Sequence, residues 1–164
     1  MKRLALIRHA KSSWKYPELT DLERPLNKRG KHDAPMMGKR LAAKKQIPDL
    51  IISSPANRAI KTARAIAREL GYSQEKIKQK KKVYMASVEE LMTVIHKIND
   101  QHQHVMLFGH NPTLNELSFY LTNRRVGNIP TCGVFCIDFE ISSWKEVAEK
   151  KGRFIYFDFP KKQN

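Results

Sequence analysis

Residues 4–10 read Leu-Ala-Leu-Ile-Arg-His-Ala, so four apolar residues run straight into Arg8-His9. Arginine grips phosphate with a planar fork of N–H donors, and histidine can serve as a nucleophile in covalent catalysis. Two other places in the chain end in the same manner. Ser53-Ser54-Pro55 follows the apolar stretch that starts near Asp49 and leads to Arg58, while Val105-Met106-Leu107-Phe108 runs into Gly109-His110-Asn111-Pro112. Brought to one place, Arg8, His9, Arg58 and His110 would form an anion pocket with a nucleophile in it.

Such convergence needs strands that lie side by side with the same polarity. Short continuous apolar runs suit strands buried on both faces, as in a parallel sheet, and in open α/β sheets ligands bind beyond the carboxyl ends of the strands. The pattern predicts strands over residues 2–8, 49–53 and 104–109, a weaker one over 77–84, and a closing pair over 132–139 and 153–159. Helices alternate with them. One covers 27–45, with Asn27 as N-cap; Pro35 requires it to be kinked or to begin nearer residue 34. A second covers about 55–70, with Pro55 in its first turn and Gly71 ending it. A third covers 87–99, where Ser87 and Glu90 make a capping box, and a fourth opens at Pro112. The alternation predicts a three-layer α/β/α sandwich with a mostly parallel central sheet of about six strands. Helix N-termini beside the pocket would add free N–H groups and positive field.

The motifs are also similar to those of a known family. Arg8-His9-Ala10 resembles the Arg-His-Gly signature of the histidine phosphatase superfamily (phosphoglycerate mutase-like). Ser53-Ser54-Pro55 with Arg58, Ala59 and Thr62 resembles its second motif, and Gly109-His110 its third. The string Arg-His-Ala-Lys-Ser-Ser-Trp, followed by Asp21, Arg24-Pro25-Leu26-Asn27 and Gly30, resembles the short SixA-like phosphohistidine phosphatases. The resemblance spans nearly the whole chain. It implies that His9 attacks phosphorus to give a covalent phosphohistidine, that Arg8 and Arg58 hold the phosphoryl oxygens, that His110 donates to them, and that Arg24 is a third phosphate arginine. Arg24 also suits a plain surface loop.

Phosphoryl transfer depends mainly on positioning and charge neutralisation. Arginines can supply that charge, so no metal and no cofactor is expected, and their proximity favours a neutral His9. Larger members of the superfamily supply a glutamate as general acid after the third strand. Here that stretch is short, and Glu89 is the candidate, though its charge equally suits a helix N-terminus. An alkoxide leaving group needs an acid; the imidazole of phosphohistidine needs one less. The expected activity is therefore a metal-independent phosphatase acting on a histidine-phosphorylated protein. The alternatives are a broad small-molecule phosphomonoesterase of the same superfamily and a basic domain that only binds phosphate or nucleic acid.

A chain of 164 residues fits one domain over 1–164. Its net charge of +15 favours acidic partners such as phosphorylated proteins or anionic small molecules. The bases show no regular interleaving with aromatics, which argues against nucleic acid. The densest basic run, Lys76–Lys82, suits either a guarded edge strand or a dock for an acidic partner. No stretch is long and apolar enough for a membrane span, and the N-terminal segment does not read as a signal peptide, so a cytoplasmic protein without membrane partners is expected. Cys132 and Cys136 would lie about 13 Å apart on one face of a strand, too far for a disulfide. They are read as reduced core residues.

Overall fold

The computed structural model describes residues 1–162. Strands β1 (Lys2–Arg8), β2 (Leu50–Ser53), β3 (Lys78–Gln79), β4 (His104–Gly109), β5 (Val134–Phe139) and β6 (Arg153–Asp158) form one sheet in the order β3-β2-β4-β1-β5-β6. The first four are parallel, while β5 and β6 close the sheet antiparallel. Alternation along β1 explains the apolar run. Leu4 and Leu6 enter one core, Ala5 and Ile7 the other, and all four are fully buried.

Helices α1 (Lys28–Ala43) and α2 (Asn57–Leu70) cover the face carrying Ala5 and Ile7, through Met37, Leu41, Ile60 and Ile66. Helices α3 (Val88–His96) and α4 (Thr113–Thr122) cover the other face, through Leu91, Ile95, Leu114 and Leu117. The predicted three-layer α/β/α sandwich with its mostly parallel sheet is the observed fold.

Local details differ from the sequence pattern for identifiable reasons. Helix α1 starts at Lys28 despite Pro35, because the Asn27 side chain accepts from the Gly30 N–H at 2.8 Å and caps it there. Pro35 withdraws its N–H only from Lys31, an exposed residue. Pro55 stands ahead of α2, whose N-cap is Ala56. The strand expected over 77–84 pairs only at Lys78–Gln79. A 3-10 turn, Lys81–Val83, then buries Val83. The lysine run thus borders the sheet at its edge. Helix α3 stops at His96, short of residue 99. Cys132 is not on a strand: it precedes β5 in the left-handed region at φ 63°. Both cysteines are free and buried, and burial pushes the Cys136 thiol up to about 12. Among the described residues, no helix is long and apolar enough to cross a membrane.

Candidate active site

Strand β4 lies between β1 and β2, parallel to both, so their carboxyl ends align: Arg8 is in register with Gly109, and Ser53 with Phe108. Beyond these ends opens a cavity of about 520 Å³ lined by Arg8, His9, Arg24, Arg58 and His110, with Asp21, Trp14 and Tyr84 toward the outside. The structure brings five of the six residues singled out from sequence to one place. The sixth, Glu89, is exposed in the first turn of α3 and does not line the cavity. The loop before α3 presents Tyr84, Met85 and Ala86 instead, and the capping box uses Glu90.

His9 is buried at the floor. The end of β1 is pinned by His9 N–H to the Gly109 carbonyl at 3.2 Å and by Cys132 N–H to the His9 carbonyl at 3.0 Å. The ring's Nδ1–H donates to the Ala10 carbonyl at 2.8 Å. That bond places the proton on Nδ1 and leaves the Nε2 lone pair for attack. Burial, reinforced by His110, Arg58 and Arg8, depresses the imidazolium to about 3. His9 is therefore neutral at physiological pH, the state a nucleophile requires.

His110 stands beside it, with ring centroids 5.2 Å apart, and burial and Arg58 depress it to about 4. Its Nε2 is 2.8 Å from Ser54 Oγ. Ser54 Oγ already accepts from the Ala56 N–H at 3.1 Å, and among the described residues its own proton finds no other acceptor. The hydroxyl thus donates to Nε2, and the His110 proton sits on Nδ1, ready to donate. Among the described residues, three nitrogens of cavity-lining residues, Arg8 Nε, Arg58 Nε and His110 Nδ1, are buried without a partner. Buried donors normally find acceptors, and a phosphoryl group offers the oxygens these lack.

The arginines are held from behind. Arg8 Nη1 donates to the Ile129 carbonyl at 3.0 Å. Arg58, in the first turn of α2, donates from Nη1 to the Asp21 carbonyl at 2.7 Å and from Nη2 to Asp21 Oδ2 at 3.0 Å. Arg24 is buried, not a surface-loop residue. It donates from Nη1 to Ser12 Oγ at 3.0 Å and from Nε to Asp21 Oδ1 at 3.2 Å, and it lies 3.5 Å from the centre of the Trp14 ring. Tyr84 donates to Asp21 Oδ2 at 2.6 Å. This bond and those from Arg58 hold the Asp21 carboxyl down at about 2.

Asp21, Ser54, Thr62 and Tyr84 carry no role in the sequence reading. The first three stand inside the quoted motifs, yet spacing alone does not say that they bond to the arginines or to His110. Among the described residues, no group of three or more His, Cys, Asp or Glu is placed to hold a metal ion.

A histidine with a free Nε2 among arginines, at the carboxyl edge of a doubly covered parallel sheet, can hold a tetrahedral oxyanion and attack its centre. That is the layout of a phosphoryl-transfer enzyme. Residues 4–82 match the model of the histidine phosphatase superfamily (branch 1). A protein from Agrobacterium tumefaciens, assigned as the phosphohistidine phosphatase SixA, is 29% identical, with a TM-score of 0.83 over 97% of this chain and 98% of that one. The protein histidine phosphatase SixA solved with tungstate gives a TM-score of 0.83 at 17% identity, over 96% of this chain and 97% of its own, which speaks to fold. An uncharacterised chloroplastic protein of Arabidopsis thaliana is 28% identical over 159 residues, 92% of this chain and 72% of that protein. Over residues 4–82 the chain thus matches the histidine phosphatase superfamily, and over nearly its whole length it is similar to SixA proteins. Family and fold support a phosphatase.

Proposed function

We propose that this protein is a metal-independent phosphohistidine phosphatase acting on a histidine-phosphorylated protein domain. The observation that carries the reading is the cavity's acid content. Asp21 is the one carboxyl group lining it among the described residues, and it is ionised and tied to two arginines. Such a site has no carboxylic acid to protonate an alkoxide as it leaves.

A phosphorylated imidazole makes no such demand. With its proton on the ring nitrogen remote from phosphorus, it is a cation. His9 Nε2 attacks phosphorus, the P–N bond of the substrate breaks, and its electron pair returns to the departing ring nitrogen. A neutral imidazole leaves and His9 becomes the phosphorylated cation. Water then attacks phosphorus, the His9 P–N bond breaks toward Nε2, and both water hydrogens depart on dihydrogen phosphate. Protons and charges balance in both steps without an outside acid. Arg8, Arg24, Arg58 and His110 would neutralise the phosphoryl oxygens throughout. The net charge of +15 suits approach to an acidic protein surface.

Brief incubation with a 32P-histidine-phosphorylated protein, quenched in alkali, is expected to leave label on His9, and His9→Ala to abolish both label and turnover. A panel comparing that protein with sugar phosphates should favour the protein. Preference for the sugars would assign the chain instead as a small-molecule phosphomonoesterase.

A further inference from the structure

We infer that Asp21 selects the leaving group: its carboxylate, placed at the mouth of the cavity on the backs of Arg58 and Arg24, favours phosphoryl donors that carry a cationic nitrogen on phosphorus over those that release an anionic oxygen. The inference rests on the phosphohistidine reading for its natural substrate, though its test does not.

The first support is position. His9, Arg24 and Arg58 are buried, whereas Asp21 has 49% of its side chain exposed and stands among exposed Trp14 and Met85. In-line displacement puts the leaving group opposite the attacking atom. With His9 on the floor, the leaving group faces the mouth, where Asp21 is.

The second support is which edges Asp21 uses. It engages both terminal nitrogens of Arg58, one through its main-chain oxygen and one through Oδ2, and leaves Nε unpaired. On Arg24 it takes Nε. The carboxylate therefore fixes the planes of two guanidinium groups without spending the Nε side of Arg58, so it sits behind the arginines and does not take the place of a phosphoryl group. Tyr84 completes the arrangement. Its ring meets His110 edge-on, with centroids 5.7 Å apart, while its hydroxyl holds Oδ2.

The third support is charge. Apart from Asp21, the charged residues lining the cavity among the described residues are Arg8, Lys11, Arg24 and Arg58. An anion is attracted to such a site wherever it binds, and only Asp21 gives the mouth a feature that distinguishes leaving groups. Next to it a phosphorylated imidazole is favoured in its protonated form, from which the P–N bond breaks. A nascent phenolate or alkoxide is repelled. An opposite charge within about 4–6 Å favours the charged form of a titrating group by a factor of ten or more.

The test compares kcat/KM for phosphoramidate, which has a cationic nitrogen on phosphorus, and for p-nitrophenyl phosphate, which releases an anion. Wild type, Asp21→Asn, Asp21→Glu and Tyr84→Phe are measured. Asp21 lies on a half-exposed surface turn, so its variants should fold, and circular dichroism verifies it. Asp21→Asn loosens both arginines and lowers both rates, but the ratio of phosphoramidate to phenyl ester should fall by about tenfold. Asp21→Glu, which keeps the charge, should retain most of the ratio, and Tyr84→Phe should fall between. An unchanged or increased ratio in Asp21→Asn overturns the inference and leaves Asp21 a purely structural tie. The phosphohistidine reading is judged separately: it fails if wild-type enzyme shows no preference for the P–N donor, whatever the variants do.

Discussion

Each histidine of the pair depends on one hydrogen bond that decides which nitrogen is free. For His110 that bond comes from Ser54. Ser54→Ala removes the donor, letting the His110 proton move to Nε2 and turn Nδ1 into an acceptor facing the phosphoryl oxygens. A hydrogen bond worth about 1 kcal/mol corresponds to roughly a fivefold shift, so kcat should fall about fivefold with the fold intact by circular dichroism; an unchanged kcat would refute the tautomer assignment. For His9 the depressed value of about 3 means that acidification to pH 5 does not protonate the nucleophile. A phosphorylated imidazole gains its proton as pH falls through about 6.5, the ordinary histidine value. The rate on a phosphohistidine substrate should therefore rise from pH 8 to pH 6, above the range of acid unfolding, where an enzyme limited by its own histidine would lose activity. The sequence displays Arg8, His9 and His110 because each closes or follows an apolar run at a strand end, and Arg58 because it stands in the first turn of the helix after one, all local signals. Asp21 and Tyr84 meet only through folding, 63 residues apart, so nothing in their local sequence tells that they share a bond.

The elements were legible where one periodicity ruled and less so where an edge or a cap intervened. The apolar runs of β1, β2 and β4 and the capping box of α3 are readable as written. The edge strand β3 is cut short because Val83 turns inward to pack, a tertiary demand that the lysine run hides. What positions the site is the stitching between the loop after β1 and the helices. Ala10 N–H donates to Thr62 Oγ1 at 2.9 Å, and Thr62 Oγ1 donates to the Arg58 carbonyl at 2.7 Å, so the loop carrying His9 and the turn carrying Arg58 are tied together. On the other side Asn27 N–H donates to the Lys11 carbonyl at 3.0 Å, and Gly30 packs against that same carbonyl. A methyl group at Gly30 would collide with the Lys11 main-chain oxygen, which is backbone and cannot swing aside. Gly30→Ala should therefore cost about 1–3 kcal/mol, the usual price of overpacking. It should also displace the loop next to His9, lowering kcat/KM together with the urea midpoint. Loss of stability with full activity would show that α1 is not coupled to the loop.

At the scale of the molecule, a site built on neutral buried histidines imposes a pH dependence on the whole fold. His9 is held down to about 3, and His104 and His110 to about 4, burial being the largest cause for all three. The unfolded chain binds these protons near the ordinary value of about 6.5. Between pH 6.5 and 4 the unfolded state thus carries more protons than the native state, and stability falls as pH falls. Each histidine contributes at most about 1.4 kcal/mol per pH unit, and the three together at most about 4. Asp21, held at about 2 against an ordinary 3.8, acts in the same direction but only at still lower pH. The excess of 31 Lys and Arg over 16 Asp and Glu adds self-repulsion as carboxylates protonate. Native domains hold only about 5–15 kcal/mol in total, so a loss of this size should bring acid unfolding near pH 5. Urea titrations at intervals from pH 7.5 to 4.5 are expected to show a midpoint nearly constant above pH 7 and falling steeply below 6.5. His104 lies at the start of β4, and the cavity is lined without it. His104→Gln, which cannot titrate, should flatten the slope below pH 6.5 by up to about 1.4 kcal/mol per pH unit. A midpoint independent of pH across this range would mean that the histidines are charged in the native state, which would remove the neutral nucleophile on which the proposed chemistry depends.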